Sequence, residues 1–429
     1  MAHHSLKSGY ANLIERLNRF PQGAPPSDFL YRILQILFSE REASLVSLLP
    51  IKPFSAEKAA RIWKVPLAEA QKVLEALAQK AILLDMAYRD KTLYVLPPPM
   101  AGFFEFSLMR LRGDIDQKLL SELFYQYLNV EEDFARALFG TGETQLGRIF
   151  VQESALTEEN ALHVLDYERA SEVIKTADAR GVGLCYCRHK MNHLGKACQA
   201  PLDICMTFHT SARSLIKHGY ARPAGREECL DLLDQARSLN LVQFGENVRE
   251  RVSFICHCCG CCCEAMIAAR RFGFLQPVHT TNFIASVRPD SCTGCGTCVT
   301  VCPVNAVSLV SAQDPHHPKR RTVQLTANLC LGCGVCVRNC SAGALSLSAR
   351  EQRTITPVDS VHRTVLMAIE RGKLPDLIFD NRVLFSHRAM AAVLGAILKL
   401  PPIKQALANR QLRSRFVDYL LSKSKSSSS

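Results

Sequence analysis

Eight of the nineteen cysteines fall into two runs of identical spacing. The first reads Cys292-Thr-Gly-Cys295-Gly-Thr-Cys298-Val-Thr-Val-Cys302-Pro303, the second Cys330-Leu-Gly-Cys333-Gly-Val-Cys336-Val-Arg-Asn-Cys340-Ser341. Thiolates are soft ligands, suited to iron–sulfur cores and to zinc. Two-residue gaps wrap a short loop around one face of a bulky inorganic core, so that three thiolates meet three irons. Gly294, Gly296, Gly332 and Gly334 fit the same picture, because a backbone turning tightly around such a core needs positive φ and close approach. Zinc or disulfides would also consume eight cysteines, but a doubled run of four favours clusters.

The two runs form an internal repeat. Val307–Val310 and Leu345–Leu347 follow them at matching positions and read as short strands. Over roughly Asn282–Arg350 the pattern resembles a two-[4Fe-4S] bacterial ferredoxin domain. That resemblance implies that Cys292, Cys295, Cys298 and Cys340 hold one cluster, and Cys330, Cys333, Cys336 and Cys302 the other. The fourth cysteine of each run thus crosses to the other site. Two features depart from the family. Ser341 stands where proline usually follows the fourth cysteine, and its N–H is available to bond a sulfur and raise that cluster's potential. The insert Ser311–Asn328 carries His316, His317, Lys319, Arg320 and Arg321, and reads either as a docking loop or as a solvated basic loop.

Ten more cysteines form a second group. Cys185-Tyr-Cys187-Arg188-His189-Lys190 is followed by Cys198 and Cys205, and then by Cys256-His-Cys258-Cys259-Gly260-Cys261-Cys262-Cys263. Left exposed, the dense run would be open to oxidation. The two patches are therefore expected to meet around metal, with Arg188 and Lys190 offsetting thiolate charge. Iron is favoured, given the ferredoxin-type module; zinc, which four thiolates would also suit, is the lesser expectation. Ten ligands exceed one cubane's four. One extra cluster with spare thiols, two extra clusters or a non-cubane assembly all stay open, as does the ligating subset. His189, His193 and His257 are candidate minor ligands. Cys229, alone on a helix, reads as core. The whole combination over Gly183–Arg350 resembles large uncharacterised iron–sulfur proteins of anaerobic bacteria, which implies anaerobic electron transfer and names no substrate.

The remaining elements must position these groups. The expected fold class is α+β and multidomain, mostly helical, with a winged-helix-like module near the N-terminus. The expected segments are a helical lead and that module over 1–99, a helical domain bearing the second cysteine site over 100–281, the two-cluster domain over 282–350, and basic helices with a tail over 351–429. In the module, Ser55 caps a helix over Ala56–Lys64, Val65-Pro66-Leu67 is the turn, and Ala68–Lys80 is the second helix. Ala81–Asp85 and Thr92–Leu96 are the wing strands, and Trp63 fills the small core. Ala68–Lys80 balances Lys72 and Lys80 against Glu69 and Glu75. Its first turn lacks the Arg, Asn or Gln that would read bases, so protein docking is expected rather than DNA binding. Ala101–Gly140 and Asp166–Arg180 read as helices.

Hydrophobic residues make up 48% of the chain, enough for real cores. The opening residues lack an apolar signal region, and no apolar run approaches the ~20 residues that span a bilayer, so a reducing cytoplasm is the expected setting. The formal charge of +12 is uneven: from Arg350 onward fourteen basic residues face six acidic ones. Those basic helices, over Asp380–Leu400 and Ile403–Leu421, suit a partner protein, peripheral membrane contact or packing within the chain, and Lys423–Ser429 reads as a disordered tail.

No dinucleotide fingerprint, metalloprotease helix, phosphate loop or nucleophile elbow is present. The sequence therefore points to an electron-transfer protein that serves redox partner proteins, more carrier than enzyme. Two alternatives remain: a redox- or iron-sensing winged-helix regulator, and an iron–sulfur oxidoreductase with an open iron in the second cysteine group.

Overall fold

The computed structural model describes residues 8–140, 142–272 and 278–379. The chain divides into two compact units: 1–144 with 358–429, and 145–357. Helix and strand are mixed, as an α+β chain requires. The regions beyond Phe379 and before Ser8, including the expected basic helices and tail, lie outside the described residues. Among the described residues no helix is long and apolar enough to cross a membrane.

The first unit opens with helices Gly9–Arg19, Asp28–Leu37 and Glu40–Ser47. Ser27 caps the second, and Ser39 with Glu42 forms a capping box on the third, so orphan N–H groups at their starts are satisfied locally. A short strand β1 (Phe54–Ser55) leads into helix Ala56–Trp63, whose N-cap is Ser55. Lys64, in the left-handed region at φ 57°, turns the chain into helix Leu67–Gln79. Strands β2 (Leu84–Tyr88) and β3 (Lys91–Val95) form a hairpin, and β3 sits between β1 and β2. The first hairpin strand starts later than expected, because Ala81 at φ 54° and the turn behind it consume Ala81–Leu83. Trp63 is buried and its Nε1–H donates to the Leu45 carbonyl at 2.9 Å.

The stretch expected to be helical over Ala101–Gly140 is helical in three pieces. Helical pieces cover Pro99–Phe106, Gln117–Val130 and Glu132–Phe139, with Ala101 at φ 53° and a loop at 110–116. Their aromatics do form core: Phe103, Phe104, Phe124 and Tyr127 are all buried. The chain returns to this unit through helix Ser360–Glu370, which places Val365 and Ala368 on Ile51.

The second unit is built on six antiparallel strands: β4 (Gly147–Ile149), β5 (Arg180–Leu184), β6 (Asp203–Phe208), β7 (Arg222–Pro223), β8 (Val242–Glu246) and β9 (Phe254–Cys258). Their order is β4-β8-β9-β6-β5-β7. The helix expected over Asp166–Arg180 is a 3-10 turn at Asp166–Glu168 followed by helix Ala170–Thr176; Arg180-Gly-Val-Gly-Leu184 is strand, its two glycines being poor helix formers. Helix Arg226–Ser238 backs the sheet, and Cys229, fully buried among Phe150, Ile174 and Leu233, is core as expected. The two ends of this unit are held side by side. Asn247 donates to the carbonyls of Leu146 and Gln145, and Arg249 donates to those of Pro357 and Thr356.

The cysteine repeat carries two further pairs of strands. β10 (Phe283–Val287) pairs antiparallel with β13 (Leu345–Ala349), and β11 (Val307–Ser311) with β12 (Arg321–Leu325). The insert Ser311–Asn328 thus supplies a strand. Its turn is tied by Asp314, which accepts from His316 N–H at 2.9 Å and from Arg320 at 3.3 Å.

Candidate metal centres

In the repeat each run bends around two glycines. Gly294, Gly296, Gly332 and Gly334 all have positive φ, from 68° to 88°. Gly332 also needs closeness: a Cβ there would stand 2.0 Å from the Phe283 carbonyl oxygen. Short helices Thr297–Val301 and Val335–Arg338 begin directly after Gly296 and Gly334. Cys302, Cys330, Cys333 and Cys336 line one cavity, with Ala285, Val307 and Leu347 as apolar wall. Ala306 N–H donates to the Cys302 Sγ at 3.2 Å. Burial pushes the Cys333 thiol up to about 12. In the other run Cys292 and Cys298 are buried and Cys295 is exposed, its thiol lowered by hydrogen bonds from Thr297. Cys340 is half-buried just past helix Val335–Arg338. Four thiols around one apolar cavity, with a backbone N–H aimed at a sulfur, fit a thiolate-bound cluster.

The second group comes together at one end of the central strands. Cys185 follows β5, where a register shift between Gly183 and Leu184 re-aims the chain, and Cys187 lies in the first turn of helix Tyr186–His193. Cys205 sits on β6, Cys256 and Cys258 on β9. Cys259–Cys263 form the turn from β9 into helix Glu264–Phe272, and Cys198 comes from the loop before β6.

The ten thiols divide into two sets. Cys198, Cys259, Cys261 and Cys262 place all four Sγ atoms within 4.8 Å of one another. The other six form two hydrogen-bonded chains. Cys205 bonds Cys185 on one side and Cys256 on the other, and Cys263 likewise bonds Cys187 and Cys258. The chains adjoin, since Cys258 feels Cys256, Cys187 and Cys205. Hydrogen bonding with Cys205 and Cys263, together with burial, holds Cys185 and Cys187 well above the usual thiol range. As bare thiols they keep their protons; a bound cation displaces them.

Charge around the group is internal. Arg188, 1% exposed, donates to the carbonyls of Pro201 and His257 and stands 4.0 Å from the Cys259 Sγ. Cys259 is pushed down by hydrogen bonding with Cys262, with Arg188 and the Cys261 and Cys198 thiols acting the same way against burial. Lys190 and Glu264, both buried, form an ion pair of 2.5 Å beside Cys187 and Cys263. Of the candidate histidines, His257 alternates with Cys256 and Cys258 on β9, so its ring lies on the other face of the sheet, 3.5 Å from Gln243. Burial, with Arg188 and Arg237, pushes it down to about 3. His189 and His193 stack on each other at 4.7 Å.

The turn also reaches the repeat. A Cβ at Gly260 would lie 2.5 Å from the carbonyl oxygen of Pro303, so the backbone between Cys259 and Cys261 rests directly on the residue after Cys302. Nothing in the spacing of the residues points to this approach. Alternation of Cys256 and Cys258 on a strand, against the Cys-Gly-Cys-Cys turn, was the available signal for the division.

Residues 291–344 match the family model of the 4Fe-4S dicluster domain. Searches of curated proteins and of solved structures returned no significant match.

Proposed function

We propose that this iron–sulfur protein relays single electrons between a partner protein and a further iron–sulfur centre, by way of two [4Fe-4S] clusters. In this reading Cys292, Cys295, Cys298 and Cys340 hold one cluster, and Cys330, Cys333, Cys336 and Cys302 the other. The six thiols Cys185, Cys187, Cys205, Cys256, Cys258 and Cys263, four of them on buried residues, are the ligand pool of the further centre. Such clusters supply one-electron storage, at potentials that hydrogen bonds to sulfur and exposure tune. The protein's part is to hold the thiolates, to exclude water from the six-thiol set, and to offset charge through Arg188 and Lys190.

The observation that carries this reading is the contact of Gly260 with Pro303, which brings the second cysteine group against a ligand loop of the matched domain. Exposed Cys295 gives the dicluster module a face toward solvent where a donor would exchange electrons. The N-terminal module is read as a winged-helix-like docking surface rather than a DNA reader. The first-turn Glu69 of helix Leu67–Gln79 is engaged by Arg41 at 2.6 Å, which leaves an acidic, paired turn where phosphate contacts would be needed.

The test is iron and acid-labile sulfide per chain on anaerobically purified protein, with EPR of the reduced sample. More than about eight of each, with a third spectral component, supports the relay. About eight, with two interacting centres only, removes the further centre. Iron well below that, in protein never exposed to air, sinks the dicluster reading.

A further inference from the structure

The four close thiols differ in kind from all the others. Their successive separations are 3.6 Å for Cys198–Cys259, 3.5 Å for Cys259–Cys261, 3.6 Å for Cys261–Cys262 and 4.0 Å for Cys262–Cys198. A zinc ion with four sulfurs at 2.3 Å in tetrahedral array has a sulfur–sulfur edge of about 3.8 Å. A disulfide is far shorter, about 2.05 Å. In a cubane each thiolate binds a different iron, so the core itself drives the four sulfurs apart. The eight cysteines of the repeat supply the comparison within the same chain: among the described residues they form no set as close as this one.

We infer that Cys198, Cys259, Cys261 and Cys262 form a mononuclear tetrahedral zinc site, separate from every iron–sulfur centre of the protein. Four thiolates on a divalent ion leave a net double negative charge. Arg188, beside Cys259, faces it and ties the Pro201 and His257 backbones together on the two sides of the site. Cys261 is exposed and gives the ion a way in, while Cys262 is buried. The set is closed by protein ligands, which is the form of a structural site. Zinc has no redox chemistry, so its role here is mechanical. The ion cross-links Cys198 to the turn 259–262, and Gly260, in the middle of that turn, is the residue laid on Pro303. Zinc therefore fixes the second cysteine group against the dicluster module. This inference goes beyond the relay and does not depend on it.

The experiment uses the full chain purified anaerobically. Zinc and iron are counted by mass spectrometry, and the zinc environment is read by X-ray absorption. The expected result is about one zinc per chain with four sulfurs at about 2.3 Å. Cys261→Ser, at an exposed position, should lower zinc retained after mild chelation by tenfold or more, while iron, sulfide and the reduced EPR signal stay unchanged. The retained signal shows that the variant is folded. Cys295→Ser should do the reverse, keeping zinc and losing iron. Zinc near zero in the wild type overturns the inference without any variant. So does zinc that survives Cys261→Ser, or a loss of about four irons in that variant, which would make Cys261 a cubane ligand. A full zinc count with only eight irons would remove the relay's further centre and leave this site standing.

Discussion

Breaking the Lys190–Glu264 pair tests whether its charge is balanced by its partner or by the thiolates next to it. The pair is 2.5 Å long, with side chains 0% and 6% exposed. Removing one member of such a pair leaves an uncompensated buried charge and costs about 3–5 kcal/mol, whereas replacing both by apolar groups of similar volume is often neutral. The two single variants should not be equal. In Lys190→Met the Glu264 carboxylate is left beside Cys187, whose thiol it already raises, so the cost lies at or above the top of that range. In Glu264→Gln the ammonium is left facing thiolates, which partly replace the carboxylate, so the cost falls near about 3 kcal/mol. With a guanidinium slope of roughly 5 kcal/mol per molar for a unit of this size, the midpoints fall by about 1 M and about 0.6 M respectively. The double variant Lys190→Met with Glu264→Leu should recover most of the loss. Iron–sulfur absorbance follows this unit, and fluorescence of the single tryptophan, Trp63, follows the other. Equal losses in the two single variants would refute the coupling to the thiolates. A double variant as weak as the worse single would show that shape, not charge, sets the cost.

Gly260→Val would force a side chain into the 2.5 Å approach to Pro303, at roughly 1–3 kcal/mol; iron content should hold while magnetic interaction between the dicluster module and the further centre, read by EPR relaxation, is lost. Ser341→Pro removes an N–H next to Cys340 and should lower one cluster potential by on the order of tens of millivolts, measured by redox titration. Lys373 is held down to about 8 by burial and Arg371, so at neutral pH its charge costs folding free energy. A lysine whose folded value lies below its unfolded one destabilises below the folded value, and that penalty fades between about pH 8 and 10.5. Lys373→Met should therefore raise the Trp63-detected unfolding free energy by about 1–2 kcal/mol at pH 7 and by much less at pH 10. A gain independent of pH would assign the effect to packing.

Local chemistry was legible and long-range assembly was not. The spacing of Cys292–Cys302 and Cys330–Cys340, the positive φ of the four glycines, the Ser55 cap and the burial of Cys229 all rest on a few neighbouring residues. The central sheet rests on pairings such as β4 with β8 and β6 with β9, between strands far apart in the chain. Its members are as short as Arg222–Pro223, too brief for alternation to declare itself. Arg180–Leu184 was masked by the amphipathic run before it. The close set of thiols needs Cys198 from a loop distant in sequence from Cys259, and no spacing rule links them. The insert Ser311–Asn328 looked like loop because its basic tip dominates its composition; its strand is visible only once Val323 is seen paired with Leu309.

The pinned ends of 145–357 carry a thermodynamic consequence. With Gln145 and Leu146 on Asn247, and Thr356 and Pro357 on Arg249, the folded cysteine unit presents itself to the rest of the chain as a short link between Thr144 and Val358. Were it to unfold on losing its metals, the same link would become a flexible loop of roughly two hundred residues. Closing such a loop costs about 3 kcal/mol more than closing one of five residues. The helices on either side would bear that entropy. Metal loss in one unit would then lower the unfolding midpoint of Trp63 in the other through chain connectivity alone.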